Sequence, residues 1–274
     1  DLVARLGGDE FAIIQDGNAD QRESATTLAL RIIAAIAEPF DLNGHQTNVG
    51  TSIGIALAPD HGVEPEELLK KADLALYDAK EGGRNDFRIF EPNMLELASY
   101  QQTAENQLRN AIALEQFVLH YQPIFDVNTR KISGFEALVR WRHPTEGLIG
   151  PDRFVPLAEA TGLIVLLGNW VLQRACADAA SWPAHIKVAV NVSALQFKSG
   201  NLFDVILCTL VETGLPAERL ELEITETTIL ENQEVYLSAI RQLKNLGVSI
   251  ALDDFGTGYS SVNYLTVFPF DKIK

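Results

Sequence analysis

Acidic side chains stand at the ends of two predicted strands in the second half of the sequence. The first group is Glu221–Glu226, which reads Glu-Leu-Glu-Ile-Thr-Glu, and the second is Asp253 and Asp254 in Leu-Asp-Asp-Phe-Gly. Gathering carboxylates at strand ends costs free energy unless a cation neutralises them. Farther upstream, two more apolar strands carry Glu136 and Asn191 at their ends. Oxygen donors from four strands therefore predict a divalent-metal site that acts on a phosphate ester.

The donor set is suited to two metal ions, and it consists of Glu136, Asn191, Glu223, Asp253 and Asp254. In this interpretation Asp253 bridges the ions and Asp254 reaches the second one. Two ions about 4 Å apart lower the pKa of a shared water and stabilise the leaving oxygen. Lys274 follows the apolar strand 268–273 and would point into the same mouth, where it could orient or deprotonate the water. Taken singly, each residue could be a turn, cap or surface residue, but all of them end strands in order.

Composition narrows the choice of function. The formal charge of −15 argues against coating a nucleic-acid polymer. The five histidines show no zinc-type spacing, so Asp, Glu and Asn ligation predicts Mg²⁺ or Mn²⁺. Cys176 and Cys208 lie in apolar helical patterns, and we expect both to be buried, reduced thiols. No apolar run reaches the about 20 residues of a membrane span and no secretion signal opens the sequence. We therefore expect a cytoplasmic location, including the cytoplasmic part of a membrane-anchored protein.

The first 90 or so residues predict a small α/β unit. A hairpin is expected around Gly7-Gly8-Asp9-Glu10, with strands over 3–6 and 11–14. Helices are predicted over 24–37 and 64–80, and strands over 46–58 and 87–90. Helical periodicity over 92–116 predicts a connector to the second half.

From residue 117 onward, strands alternate with helices. Strands are predicted near 117–126, 132–141, 186–192, 219–224, 248–252 and 271–274, and helices near 152–160, 163–181, 201–213, 231–246 and 259–266. This alternation implies βαβ units and a parallel sheet, and functional residues at strand ends favour a barrel. Both ends of the sequence fall at or inside a predicted strand, so we expect a piece of a longer protein.

The second half resembles the EAL-type cyclic di-GMP phosphodiesterases over residues 105–274. The matching motifs are Tyr121-Gln122-Pro123-Ile124, Glu136-Ala137-Leu138-Val139-Arg140-Trp141, Phe154-Val155-Pro156-Leu157-Ala158-Glu159, Asn191-Val192-Ser193, Glu223-Ile224-Thr225-Glu226, Asp253-Asp254-Phe255-Gly256-Thr257-Gly258-Tyr259-Ser260-Ser261 and Asp271-Lys272-Ile273-Lys274. The resemblance implies a TIM-like barrel, truncated in this chain, that cleaves cyclic di-GMP to linear pGpG.

Roles for single residues follow from the same resemblance. It implies catalytic roles for Glu136, Asp253 and Lys274, and metal ligation by the five-residue donor set. Arg140 and Gln122 would bind the substrate, with the Arg140 fork suited to two phosphate oxygens. Glu226 would steady the loop after Asp253-Asp254. A further catalytic glutamate and two strands of the family would follow Lys274, so activity of this segment alone stays open.

The first half resembles the C-terminal part of a GGDEF-type diguanylate cyclase domain, through Arg5-Leu6-Gly7-Gly8-Asp9-Glu10-Phe11 and Ala72–Asn85. That family makes cyclic di-GMP from two GTP across a dimer. The resemblance implies that Asp9 and Glu10 hold metal, that Gly7 and Gly8 contact GTP, and that Lys80 and Arg84 contact phosphate. On the residues alone, Gly7-Gly8-Asp9-Glu10 could be an ordinary hairpin turn. Lys80 and Arg84 could be favoured at the end of a helix by its dipole.

These resemblances together predict a tandem GGDEF–EAL signalling protein. The expected boundaries are 1–91 for the GGDEF part, 92–104 for a helical connector and 105–274 for the EAL part. The expected activity is cyclic di-GMP hydrolysis. The alternatives are a non-catalytic cyclic di-GMP receptor and a bifunctional protein with net cyclase activity. A homodimer and an upstream sensor or membrane domain are compatible with both families.

Overall fold

A computed structural model describes residues 1–16, 20–42, 44–226, 233–254, 256 and 267–274. The predicted helix over 259–266 lies outside these residues. The chain divides into two compact units, Asp1–Thr103 and Ala104–Lys274. In the described residues, no helix carries enough continuous apolar length to cross a membrane.

In its described residues, the N-terminal unit has three strand pairs, two complete helices and the first part of a third. The antiparallel hairpin is β1 (Leu2–Gly7) and β2 (Glu10–Ile14), and a second antiparallel pair is β3 (Phe40–Leu42) and β4 (His45–Thr47). Strands β5 (Ile53–Ile55) and β6 (Phe87–Ile89) are parallel. The helices are α1 (Gln21–Ile36) and α2 (Pro65–Glu81).

The single strand predicted over 46–58 is wrong, because β4 and β5 are short strands that belong to different pairs. Hydrogen bonds to side chains, rather than strand pairing, hold the segment between β4 and β5. The Thr51 amide donates to Asn85 Oδ1 (3.4 Å), and the Asn85 amide donates to Ser52 Oγ (3.2 Å). Gly54 then packs directly on α2, since a Cβ there would lie 2.0 Å from the carbonyl oxygen of Ala72.

Helix α3 (Pro92–Ala113) is continuous across the boundary between the units. Leu108 and Ala111, near its end, belong to the core of the C-terminal unit. Glu115 has a positive φ of 53° and ends the helix. The next residue, Gln116, accepts hydrogen bonds from the Arg142 amide (2.8 Å) and from Trp141 Nε1 (3.2 Å).

In the part of the chain that the structure describes, the C-terminal unit is built on a seven-stranded sheet, in the order β13-β12-β11-β10-β8-β7 with β9 beside β8. Its strands are β7 (Phe117–Phe125), β8 (Ile132–His143), β9 (Gly147–Ile149), β10 (Lys187–Asn191), β11 (Leu220–Thr225), β12 (Ser249–Asp253) and β13 (Lys272–Ile273). The helices are α4 (Pro151–Ala160), α5 (Ile164–Ala180), α6 (Ala194–Lys198), α7 (Leu202–Thr213) and α8 (Gln233–Leu246).

Strands β8, β10, β11, β12 and β13 are parallel, as expected, but β7 runs antiparallel to β8. A parallel connection needs a crossover of a dozen or more residues, and only residues 126–131 separate the two strands. The segment folds as a turn in which Asp126 Oδ1 accepts the Thr129 amide (2.7 Å) and Arg130 has φ of 55°. The sequence pattern of this loop excludes the crossover.

The two faces of the parallel strands differ because side chains alternate along a strand. One face packs against helices through apolar residues, which are Val188, Val190, Leu222, Ile224, Ile250 and Leu252. The other face carries Glu221, Glu223 and their neighbours on adjacent strands. Cys176 is buried as expected, but Cys208 is exposed. That expectation was wrong because α7 buries Ile206, Thr209 and Leu210, and Cys208 lies off that face.

Candidate active site

The carboxyl ends of the parallel strands form one edge of the sheet, which is its rim. The polar face of each strand reaches this rim with the residues predicted to act. Asn191 pairs with Glu223 across β10 and β11, and Thr225 pairs with Asp253 across β11 and β12. Parallel strands place equivalent positions side by side, so one sheet collects side chains far apart in sequence.

Glu136 and Asn191 are in direct contact. Asn191 Nδ2 donates to Glu136 Oε1 at 2.9 Å. The backbone beyond β10 is fixed as well, since the Val192 amide donates to the Glu223 carbonyl at 2.9 Å. The structure therefore brings together the Glu and Asn that the sequence assigned to separate strands.

Glu223 and Lys274 form the most buried contact of the site. Lys274 Nζ donates to Glu223 Oε1, and it lies 3.9 Å from Glu136 Oε2. Glu223 is 1% exposed. Burial raises its pKa to about 7, since the opposing effect of Lys274 is smaller and Glu136 and Asp253 add to the rise. For Lys274, burial acts to lower the pKa, but the bond to Glu223 outweighs it and the pKa is raised.

Asp253 and Asp254 lie at the end of β12. Asp253 is partly buried and its Oδ1 accepts the Asp254 amide at 3.0 Å. Asp254 is exposed and has a positive φ of 55°, a region that non-glycine residues rarely adopt. Glu226 is buried, and its Oε2 accepts the amide of Gly256 at 3.2 Å. Glu226 therefore touches the segment after Asp253-Asp254, where its predicted role lies.

The donor chemistry fits a cation that prefers oxygen. Glu223 Oε2 is buried and has no hydrogen-bond partner within the described residues, and a buried carboxylate is costly unless it is paired. Lys274 supplies the positive charge in the present arrangement. Within those same residues, no three Asp, Glu, His or Cys side chains already stand as a metal site. Glu136, Asn191 and Glu223 adjoin one another, whereas Asp254 lies on the exposed turn after β12.

Gln122 and Arg140 lie at different positions along the strands relative to Glu136. Gln122 pairs with Glu136 across β7 and β8, and it is exposed. Arg140 lies four residues beyond Glu136 on β8, about 13 Å farther along the strand. Its Nη1 donates to the Val139 carbonyl at 2.8 Å. Arg140 thus stands above the rim and does not touch the acidic cluster.

The predicted residues of the N-terminal unit remain in two separate places. Gly7, Gly8, Asp9 and Glu10 form the exposed tip of the hairpin, where Gly8 has φ of 53° and Arg5 Nη2 donates to its carbonyl at 2.6 Å. Lys80 and Arg84 are exposed at and beyond the end of α2. In the described parts of this unit, no hydrogen bond or ion pair joins the hairpin tip to either cation.

Two further polar pairs border the site, and sequence reasoning assigned no role to their residues, which it quoted only as parts of motifs. Ser193 Oγ donates to Glu159 Oε1 at 2.7 Å, joining the end of α4 to the turn after β10. Lys272 Nζ lies 3.1 Å from Glu221 Oε1. A signal for this second pair exists, because Glu221/Glu223 and Lys272/Lys274 share the same two-residue spacing.

Comparison with known proteins assigns both halves of the chain. Residues 105–274 match the EAL domain model, and residues 1–86 match the model for the diguanylate cyclase GGDEF domain. An uncharacterized signaling protein of Caulobacter vibrioides is 46% identical over 273 residues, covering 100% of this chain and 34% of the relative. The cyclic di-GMP phosphodiesterase NbdA of Pseudomonas aeruginosa is 42% identical over 278 residues, covering 100% of this chain and 35% of that protein.

Among solved structures, the phosphodiesterase PaMucR in complex with c-di-GMP is 43% identical. Its similarity covers 62% of this chain and 71% of the solved chain, with a TM-score of 0.60. This chain spans about a third of the length of the curated relatives named above.

Proposed function

Because this chain belongs to the EAL domain family, with a GGDEF domain match ahead of the EAL region, we propose that its protein hydrolyses cyclic di-GMP to linear pGpG. The observation that carries the proposal is the mutual contact of Glu136, Asn191, Glu223 and Lys274 on the polar face of the sheet. Relatives named as cyclic di-GMP phosphodiesterases support the substrate. We assign residues 1–91 to the GGDEF part, 92–104 to the connector and 105–274 to the EAL part.

EAL phosphodiesterases depend on divalent metal ions, and we propose Mg²⁺ or Mn²⁺ here. Glu136, Asn191, Glu223 and Asp253 would hold the cation, with Asp254 at the second position. These hard oxygen donors suit both ions. When bound, the ions would supply Lewis-acid activation of the phosphodiester and of water.

The remaining residues bind and orient the reactants. Arg140 would donate to phosphate oxygens, and Gln122 would contact the substrate beside Glu136. Lys274 has a raised pKa and is an ammonium at neutral pH. An ammonium donates hydrogen bonds and cannot accept a proton, so the arrangement favours Lys274 as the group that orients water and offsets carboxylate charge.

The test is hydrolysis by the full-length protein. Cyclic di-GMP is incubated with Mg²⁺, Mn²⁺ or a chelator, and pGpG is separated by chromatography. We expect product with either ion, none with chelator, and none after Glu136→Ala or Asp253→Asn. Exposed Glu212 on α7 gives a matched control, since Glu212→Ala removes a carboxylate away from the site. Intact hydrolysis after either site substitution would refute the assigned roles.

The receptor alternative is separated by the same samples. A receptor would bind cyclic di-GMP and release no pGpG with any of these ions. The buried Glu223 and its neighbours weigh against it, because anionic ligand recognition alone needs cations such as Arg rather than a carboxylate group.

A second activity, GTP binding at the hairpin, is favoured by the GGDEF match and by the exposed Asp9 and Glu10. The relative MucR of Pseudomonas aeruginosa is named as bifunctional, which supports testing both directions. Product analysis with GTP and with cyclic di-GMP in separate reactions gives the net direction. Homodimer formation, a cytoplasmic location and an upstream sensor or membrane domain belong to the same proposal, testable on the full-length protein.

A further inference from the structure

A second glutamate–lysine pair lies beside the Glu223–Lys274 contact, on the same face of the sheet. Lys272 Nζ and Glu221 Oε1 are 3.1 Å apart. Glu221 precedes Glu223 by two residues on β11, and Lys272 precedes Lys274 by two residues at β13. Because side chains alternate along a strand, residues two positions apart face the same side of the sheet. Glu221 therefore faces the same side as Glu223, and Lys272 the same side as Lys274.

Strand β12 lies between the two lysines and their glutamate partners. Both lysine side chains cross it diagonally in the same direction. Register places Lys272 beside Ala251, and Ala251 beside Glu223. Lys272 nevertheless contacts Glu221, one same-face position nearer the start of β11. Lys274 contacts Glu223 with the same offset. Ala251 of β12 lies beside both Lys272 and Glu223 and is small, which leaves room for the lysine side chains.

The strand that delivers Lys274 is short and pairs with β12 at two positions, Lys272 with Ala251 and Ile273 with Leu252. Strand β13 consists of Lys272–Ile273, and two amides attach its flanks to β12: Asp271 to the Ile250 carbonyl and Lys274 to the Leu252 carbonyl, both at 2.8 Å. The Asp271 carboxylate adds bonds from the Ile250 amide (2.7 Å) and from Lys244. Side-chain contacts therefore add to the backbone attachment of this short strand.

One of those contacts competes with cation binding. The carboxylate oxygens of Glu223 cannot fully coordinate a divalent cation and also keep their ion pair with Lys274. The Glu221–Lys272 pair has no such conflict, because Glu221 is outside the ligand set. Glu221 is also 8% exposed, and a buried carboxylate loses much more when its partner is removed than a surface one does.

We propose that Lys272 is a positioning residue. Its ion pair with Glu221 holds β13 against the sheet, so that Lys274 stays at the rim when Glu223 binds the cation. The role of Lys274 in this inference rests on the proposed hydrolysis, whereas the docking of β13 does not depend on it.

The kinetic test uses the full-length protein and three lysine variants. Lys272→Met removes the charge and keeps most of the side-chain length, Lys272→Arg keeps the charge, and Lys131→Met is a control at an exposed turn. We expect Lys272→Met to lower kcat for cyclic di-GMP about tenfold with KM within about twofold, because Lys274 acts on water rather than on substrate binding. Lys272→Arg should recover most of kcat, and Lys131→Met should match the wild type.

Amide hydrogen exchange tests docking without any turnover. With Mn²⁺ present, we expect the segment 271–274 to exchange at least about fivefold faster in Lys272→Met, while β10 and β11 keep their protection. Unchanged exchange in 271–274, an equal increase in β10 and β11, or a Lys272→Arg variant as impaired as Lys272→Met would each overturn the inference. A wild type without hydrolysis would refute the proposed function, and the exchange comparison would still decide whether Lys272 docks β13.

Discussion

The two units carry similar residue types in opposite settings. In the C-terminal unit, parallel strand ends press Glu223 into a place where it is 1% exposed and beside a lysine. In the N-terminal unit, a tight turn leaves Asp9 and Glu10 in water. The cores differ too, since Ala29, Ile55 and Leu57 form the buried cluster of the first unit while the second has a far larger one. Sheet architecture, rather than residue type, determines which of these carboxylates is buried and has a raised pKa.

The largest expected difference between the units is in hydrolysis. Glu223→Gln should reduce cyclic di-GMP turnover on the order of 1,000-fold or more, because a buried anionic donor is lost without a change of shape. Glu10→Gln makes the same chemical change at the hairpin tip and should leave turnover within about twofold. The measurement is pGpG release by the full-length protein. Equal losses in the two variants would contradict the assignment of hydrolysis to the C-terminal unit.

The next largest expected effect is on the stability of the N-terminal unit, which has the smaller core. Gly54→Ala should destabilise the N-terminal unit by about 3 kcal/mol or more, because its Cβ would lie 2.0 Å from the Ala72 carbonyl oxygen. Gly7→Ala is the control, since no atom lies within 4 Å of its added Cβ.

Two optical signals separate the units in the 274-residue chain. All three tryptophans, Trp141, Trp170 and Trp182, belong to the C-terminal unit. Gly54→Ala should therefore lower the unfolding midpoint seen by far-ultraviolet circular dichroism and leave the tryptophan-fluorescence midpoint in place. A parallel drop in both signals would show that the units do not unfold separately.

The pH dependence of the C-terminal unit should carry the signature of Glu223. Its folded pKa of about 7 exceeds the ordinary 4.5, so the folded state binds the proton more tightly than the unfolded state. This contribution is present below pH 4.5 and is lost as pH rises through 7, by about 2–3 kcal/mol. Tryptophan-monitored urea unfolding in chelator from pH 5 to 7.5 measures it. Glu223→Gln should flatten the profile, and an unchanged slope would contradict the cause.

The smallest effect has the opposite sign and belongs to the N-terminal unit. Burial lowers the pKa of His61, with Asp60 opposing and Lys71 assisting, and His61 Nδ1 accepts the Leu57 amide at 2.9 Å. The neutral form is favoured, so its contribution is present above pH 6.5 and is lost as pH falls through the lowered folded value. Circular dichroism of the chain should show His61→Gln less sensitive to acid, and His45→Gln, at an exposed strand, unchanged. Identical profiles for both variants would remove His61 as the cause.

The sequence was sufficient to predict which strands meet at the rim. The alternation of strands and helices predicted parallel strands, and Asn191, Glu223 and Asp253 lie at or near the ends of β10, β11 and β12 as expected. Glu136 was expected to end its strand but lies within β8, which continues to His143. Helices α1, α2, α5 and α7 also begin and end within a few residues of their predicted positions.

Local turn geometry and contacts distant in sequence both account for what was missed. The direction of β7 depends on the turn over 126–131, where Asp126 and Arg130 form local bonds that periodicity does not show. The break between β4 and β5 depends on Asn85, and the exposure of Cys208 depends on which face α7 buries. The Glu221–Lys272 diagonal depends on register between strands that one sequence does not specify.

Strand β7 also decides where the chain enters the C-terminal unit. Since β7 is antiparallel, its first residues, rather than its last, lie beside the end of β8, and Val118 pairs with Arg140. Gln116 binds the Trp141 ring and the Arg142 amide there. The residue that follows the turn after α3 is thereby bonded to the two residues that directly follow the proposed phosphate-binding Arg140.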